Sequence, residues 1–446
     1  MPLQPIRITT SLIAIVTVCC LFSCEKSIEK SDNQAKELRP IRAVNDPDLE
    51  KGTQTIAIAG VTLIDGNGGE AVSNSVVVVK DHIIESVGIE GSISIPEGAK
   101  IIDGKGLTLM PGLIDAHYHG DNPKMSGSFL SHGVTSVRDP GAWIEAYEDV
   151  VNAKHMVPRL FLTGPHLDMF PPAYPANSAM VRDSTEARNH VLTFYEQGAS
   201  AIKVYFRVTP DLIKVICETA DELGIPTTAH LEIAYARDAI EAGIDGIEHI
   251  TSFGIDLVPR QRAEAYRQSV LADNSARRNG RYEMWSEIDL NHPRTTSMID
   301  LIVQNQTVLS PTLAIFEYQL DDEHTDTTKQ EGFKTMMAFV GKAKKAGAPV
   351  VVGSHTWVPY ADYGWAYQRE MELLAASGLT NAEVIQAATM ENARFLRIED
   401  RLGSIEAGKQ ADLVLVNGNP LEDIKAMYNI EKVMLNGVWV PNFDEE

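Results

Sequence analysis

Leu113-Ile114-Asp115-Ala116-His117-Tyr118-His119 is an apolar run that follows Met110-Pro111-Gly112 and ends in two histidines one residue apart. Side chains along a strand alternate between its faces, so a buried strand here turns both imidazoles to the same side. Paired imidazoles at that spacing suit a metal site at the mouth of a barrel. Val350-Val351-Val352-Gly353-Ser354-His355 is a second such run, and it too ends in a histidine.

From the first run onward, short β-rich segments alternate with helical ones. The candidate strands are Leu113 to His119, Val134 to Arg138, Leu160 to Gly164, Ala201 to Tyr205, Thr227 to Leu231, Gly246 to Ile250, Val308 to Thr312 and Val350 to His355. Such alternation marks parallel strands joined by crossover helices. The spacing predicts an α/β chain folded as a (β/α)8 TIM barrel over residues 111–395, with its chemistry at the C-terminal rim of the strands. Further β signals flank this region, in Thr55 to Ala59, Ser75 to Val79 and Ile83 to Gly88 before it, and in Asp412 to Val416 and Lys432 to Val440 after it. Neither group makes a stable sheet alone, so residues 55–110 and 396–446 are expected to pair into one small β-sandwich.

Three more strand ends carry polar residues. Thr227-Thr228-Ala229-His230 and Ile247-Glu248-His249 each place a histidine there, and Ala201-Ile202-Lys203-Val204-Tyr205 holds a lysine among apolar neighbours. A buried ammonium is costly, so Lys203 must pair with an acid, lose its proton or react, for example with carbon dioxide to give an anionic bridging ligand.

The His-x-His strand, the Ile-Lys-Val lysine and the Ala-His and Glu-His strand ends together resemble the amidohydrolase superfamily, in its imidazolonepropionase and prolidase-like branch. The segment from Arg401-Leu402-Gly403-Ser404 to Ala411-Asp412-Leu413-Val414 is also similar to that branch, and the likeness spans roughly residues 55 to 440. It implies that His117, His119, Lys203, His230 and His249 bind one or two divalent ions, usually zinc, with Lys203 as a candidate for carboxylation.

In that family the last strand usually ends in Gly-Thr-Asp, whose carboxylate handles the proton of the attacking water. Here the chain reads Gly353-Ser354-His355. A neutral imidazole still accepts a proton, but it brings no negative charge, so the pocket is more positive and suits a small carboxylated substrate. Arg138 and Arg207, at or just past strand ends, are candidates to bind that carboxylate, and Tyr205 to act as acid or to orient a leaving group. The loop after His355 carries Trp357, Tyr360 and Trp365, whose rings suit sugar faces or serve to pack the loop. The stretch from Ile255 to Met298 contains Arg260, Arg262, Arg267, Arg277, Arg278 and Arg281, and is expected to form helices over the barrel mouth, with most of these arginines solvated and with a homo-oligomer contact as one role.

Lys and Arg total 39 against 61 Asp and Glu, a formal charge of −22 that argues against a nucleic-acid partner. Residues 1–23 carry Arg7, an apolar stretch from Leu12 and then Leu21-Phe22-Ser23 before Cys24, a layout that resembles a bacterial lipoprotein signal with Cys24 as the lipid anchor. An ordinary secretory signal is the alternative. The lipid-anchored reading places the protein in the cell envelope, on the outer membrane or periplasmic face, with residues 24–54 as a polar tether. Cys217 would then remain the free thiol, read as a small core residue. Superfamily resemblance implies hydrolysis of an amide such as a dipeptide or a cyclic amide. The replaced aspartate and the aromatic loop shift the expectation to a metal-assisted dehydratase that eliminates water from a uronic-acid end of oligosaccharides. A catalytically inactive, ligand-binding barrel is the third reading.

Overall fold

The computed structural model describes residues 38–441. Its N-terminal strands are β1 (Thr55–Leu63), β2 (Val72–Lys80), β3 (Ile83–Ile89), β4 (Lys100–Asp103) and β5 (Leu107–Pro111). A parallel set follows: β6 (Leu113–Asp115), β7 (Val134–Asp139), β8 (Arg159–Leu162), β9 (His166–Asp168), β10 (Ser178–Met180), β11 (Ile202–Val204), β12 (Thr227–Ala229), β13 (Gly246–Glu248) and β14 (Val308–Ser310). The chain closes with β15 (Leu413–Asn417), β16 (Ile430–Leu435) and β17 (Val438–Trp439).

Strands from both termini share one eight-stranded sheet, in the order β17-β16-β15-β5-β1-β2-β3 with β4 beside β1. The junction is the antiparallel pairing of β15 with β5, where Val414 opposes Met110. Val76, Val77, Val78 and Val79 of β2 are all buried, as a β-branched run flanked by packed layers should be.

The central strands are parallel throughout. β6, β7 and β8 form one sheet, and β10, β9, β11, β12, β13 and β14 form another. Ser200 N–H donates to Leu162 O at 2.8 Å, joining β8 to the start of β11. At the other end Val350 bridges Leu309 of β14, Ala116 N–H reaches Val352 O at 3.0 Å, and His355 N–H reaches His117 O at 2.7 Å. Seven of the eight expected strands are present as strands, and the eighth, from Val350, is held by these bonds as a connector between β14 and β6. Amphipathic helices cover the strands. The helix Pro210–Glu222 buries Leu212, Ile213, Ile216 and Cys217, and the helix Ser184–Gln197 starts on an Asp183 cap and stops at Gly198 with φ 111°. Burial pushes the Cys217 thiol up to about 12, as befits an inert core residue.

Part of the expected tether is packed instead. Ile41 and Ala43 are buried, Val44 N–H bonds Leu160 O, and the Asn45 amide bonds Pro158 O and Leu160 N–H. Arg159 ties this segment to the terminal sheet, reaching Asp46 and Asp412 at 2.8 Å each. Too few apolar residues mark the segment for periodicity to reveal it, and its anchorage is polar. The signal segment, Cys24 and residues 24–37 lie outside the described residues. Among the described residues no helix is long and apolar enough to cross a membrane.

Candidate active site

His117 and His119 follow β6, His230 follows β12, His249 follows β13, and His355 follows the Val350 segment, so five imidazoles meet at the C-terminal ends of parallel strands. His117 lies with its ring centroid 4.8 Å from His119, 4.4 Å from His249 and 5.3 Å from His355, and His249 lies 4.1 Å from His230. All five line a cavity of about 410 Å³ together with Lys203, Tyr205, His166, Tyr174, Phe316 and Arg277, Arg278 and Arg281.

Beneath them lies Glu248, a fully buried carboxylate. Lys203 Nζ donates to it at 2.6 Å and Thr228 Oγ1 at 2.7 Å, while Arg138 Nη2 and His117 Nδ1 also contact it. Burial alone would raise the Glu248 carboxyl, but Lys203, His117 and Arg138 outweigh it and hold it well below the usual range. Lys203 therefore meets its cost by pairing with an acid, and burial still lowers its ammonium to about 8.

This network sets the tautomers. Glu248 is ionised, so His117 Nδ1 carries the proton facing it and Nε2 is the unprotonated nitrogen, within hydrogen-bond reach of His119 Nε2 at 3.0 Å. Thr312 Oγ1 donates to Pro311 O at 2.8 Å and so accepts from His249 Nδ1 at 2.6 Å, which frees Nε2 of His249 as well. Burial holds His117 down to about 3 and His230, His249 and His355 well below the ordinary imidazole value, so these rings are neutral at neutral pH. His355 Nδ1 is buried without a hydrogen-bond partner. One ring nitrogen from each of His117, His249 and His355 lies within 4.8 Å of the others, and the three are positioned to hold a metal ion. Neutral imidazoles with unshared lone pairs turned toward one another fit a divalent cation and fit little else.

The backbone is bent to make this cluster. His249, Thr312, His355 and Thr356 have φ of 62°, 50°, 62° and 68°, values that cost a branched or bulky residue roughly 1–3 kcal/mol each. Asp115 Oδ1 accepts N–H bonds from His117 and Ser354 at 2.9 Å, pinning the first and last segments together. Gly353 permits their close approach, since a Cβ there would lie 2.6 Å from Ser310 Oγ and 2.7 Å from His117 Cβ.

A profile of the Amidohydrolase family matches residues 108–440. The chain belongs to the amidohydrolase family. Ochratoxinase from Aspergillus niger is 25% identical over 457 residues, covering 86% of this chain and 85% of the relative. A putative prolidase from Bifidobacterium longum superposes with a TM-score of 0.67 at 26% identity, over 87% of this chain and 95% of its own. A Xaa-Pro dipeptidase with bound methionine gives the same TM-score at 23% identity, over 87% of this chain and all of its own, and shows the same fold. These relatives are hydrolases, and they favour amide hydrolysis over the elimination that the aromatic loop suggested.

Within this amidohydrolase, the residues expected to bind substrate fall elsewhere. Arg138 is fully buried, with Nε on Ala116 O at 2.8 Å and Nη2 on Glu248, and does not line the cavity. Arg207 faces Asp168 at 3.7 Å. Trp365 stacks on His132 at 3.8 Å, Tyr360 accepts the Gln319 N–H, and Trp357 is 58% exposed and packs edge-on against Tyr363. None of the three lines the cavity, which removes the sugar platform. Tyr205 does line it, stacked on His166 at 4.0 Å, and burial keeps its phenol protonated. Sequence reasoning gave no role to Glu248, His166 and Glu232, and read most of the arginines of the Ile255 to Met298 stretch as solvated, whereas Arg277, Arg278 and Arg281 line the cavity. The one signal available was that Glu248 shares a strand with Gly246 and Ile247, where an acid needs a partner.

Proposed function

We propose that this chain is a metal-dependent hydrolase of amide bonds, of dipeptidase or N-acyl amino acid type, built on a (β/α)8 barrel (111–395) with an accessory β-domain from residues 55–110 and 396–446. The observation that carries the reading is the pair of Nε2 lone pairs on His117 and His249, freed by Glu248 and Thr312 inside a closed cluster of neutral imidazoles. His119 and His230 complete the donor set, and imidazole donors favour zinc. A divalent ion bound by these residues would polarise the amide carbonyl and make water more acidic. Lys203, bonded to Glu248, fixes the charge beneath the cluster, and its carboxylation is the alternative state of that side chain. His355, neutral and with an unshared Nδ1, takes the proton of the attacking water, the task the family gives to aspartate. Tyr205 remains a neutral donor toward the substrate. An envelope location through a lipid on Cys24 rests on the sequence pattern alone, and loss of labelled palmitate from Cys24→Ala tests it.

The deciding experiment incubates the metal-loaded protein with a panel of dipeptides and N-acyl amino acids, and separately with uronate-ended oligosaccharides. Released amine with no new conjugated double bond supports hydrolysis. Elimination product without amine overturns it.

A further inference from the structure

Arg277, Arg278 and Arg281 reach the cavity from one helix, Arg277–Ser286, and Arg277 and Arg281 are four residues apart on one face. Arg277 is only 6% exposed, and its one hydrogen bond is from Nη2 to the Tyr174 hydroxyl. Its guanidinium lies 5.6 Å from the Tyr174 and Phe206 ring centroids, and that of Arg281 lies 4.8 Å from the Phe316 ring. The Nε atoms of both are buried without a hydrogen-bond partner. Arg262 and Arg267 of the preceding helix pair with Glu287 and Glu264, yet among the described residues none of Arg277, Arg278 and Arg281 forms an ion pair. The acid that feels both Arg277 and Arg281 is Glu232, whose oxygens are taken by the Tyr266 hydroxyl and by His230.

Guanidinium groups held by aromatic rings, with donors unspent, cost free energy unless an anion completes them. Their planar fork matches a carboxylate, and a cavity lacking the usual last-strand aspartate adds to the positive field. We infer that Arg277 and Arg281 clamp a carboxylate of the substrate, which makes an amide bearing a separate carboxylate group the preferred substrate class. This rests on the amide-hydrolase reading for the word substrate, but the anion site itself does not. Arg138 and Arg207, the arginines that sequence position suggested, are spent on Glu248 and Asp168.

Titration of glutarate and of its uncharged diamide, glutaramide, into metal-loaded wild type, R281Q, R281K and R277Q, each checked for native circular dichroism, tests the clamp without turnover. Wild type should prefer glutarate, and R281Q should bind glutarate about 10- to 100-fold more weakly, the worth of one charge-assisted hydrogen bond. R281K should fall between, and glutaramide should bind all variants alike. Equal glutarate binding by wild type and R281Q, or no preference for glutarate over glutaramide in wild type, overturns the clamp. Hydrolysis of neutral amides with either of those results leaves the hydrolase reading standing alone. Arginine-dependent glutarate binding with no amide cleaved leaves the anion site standing and removes the hydrolase.

Discussion

Replacing Glu248 with Gln removes the carboxylate that pairs with both Lys203 and Arg138 beneath the imidazole cluster while leaving the shape nearly intact. Lys203 and Arg138, at most 1% exposed, then lose the carboxylate they are paired with. Breaking a buried ion pair from one side costs about 3–5 kcal/mol, a large part of the roughly 5–15 kcal/mol that holds a typical domain together. Lys203 and His117 share one Glu248 oxygen and Arg138 and Thr228 the other, so whichever way the Gln amide lies its NH2 faces one of these donor pairs and leaves it without an acceptor. Urea unfolding of the chelated protein, followed by tryptophan fluorescence, measures the loss without help from bound metal. The K203M/E248Q double variant should recover part of it, because one stranded cation is gone. His117 should lose its fixed tautomer as well, so metal affinity of E248Q falls about 10- to 100-fold. A midpoint for E248Q that corresponds to less than about 1 kcal/mol, an ordinary surface effect, would refute the reasoning.

Gly353→Ala places a methyl group against His117 and Ser310; the expected cost is about 1–3 kcal/mol with weakened metal binding, and unchanged metal affinity by competition titration contradicts the close approach. His355→Gln should lower amide turnover by about 10²- to 10⁴-fold while His355→Asp retains it, with the acid limb of the pH profile moved lower in the latter; undiminished turnover in H355Q removes His355 as proton acceptor. Glu370 is buried and capped by the Leu313 and Ala314 N–H groups, and burial raises its carboxyl to about 8. A raised folded value means that stability is fully present below the unfolded value near 4.5 and is lost as pH climbs toward 8. The stability of wild type relative to E370Q should thus fall by up to about 1.4 kcal/mol per pH unit across that window, and a flat difference would contradict it.

Much of the parallel framework was legible because β-branched runs such as Val350-Val351-Val352 stand out against helical periodicity. The strands β9 and β10 were not, since each is a three-residue segment beside a proline-rich loop and carries no period. The histidines were legible as a set, for each ends an apolar run. Glu248 was hidden by the alternation rule itself: if His249 points inward, its neighbour should point away, and the positive φ of His249 breaks that rule so that both reach His117. Arg138 misled for the opposite reason, being fully inside the strand and committed to Glu248. Trp365 and Tyr360 misled because an aromatic loop packs on whatever lies beneath it, here His132, Tyr428 and Gln319. Arg277 and Arg281 sat in a long charged stretch in which Arg262 and Arg267 form ion pairs, and only the folded helix separates the two kinds.

Elemental analysis of protein purified without chelator, set beside the His117→Ala/His249→Ala double variant, tests the imidazole cluster most directly. At least one equivalent of a divalent ion should copurify with wild type, zinc foremost, and be absent from the double variant. Metal-free wild type that takes up no zinc, or a double variant that retains the full complement, would contradict a cation held by these rings.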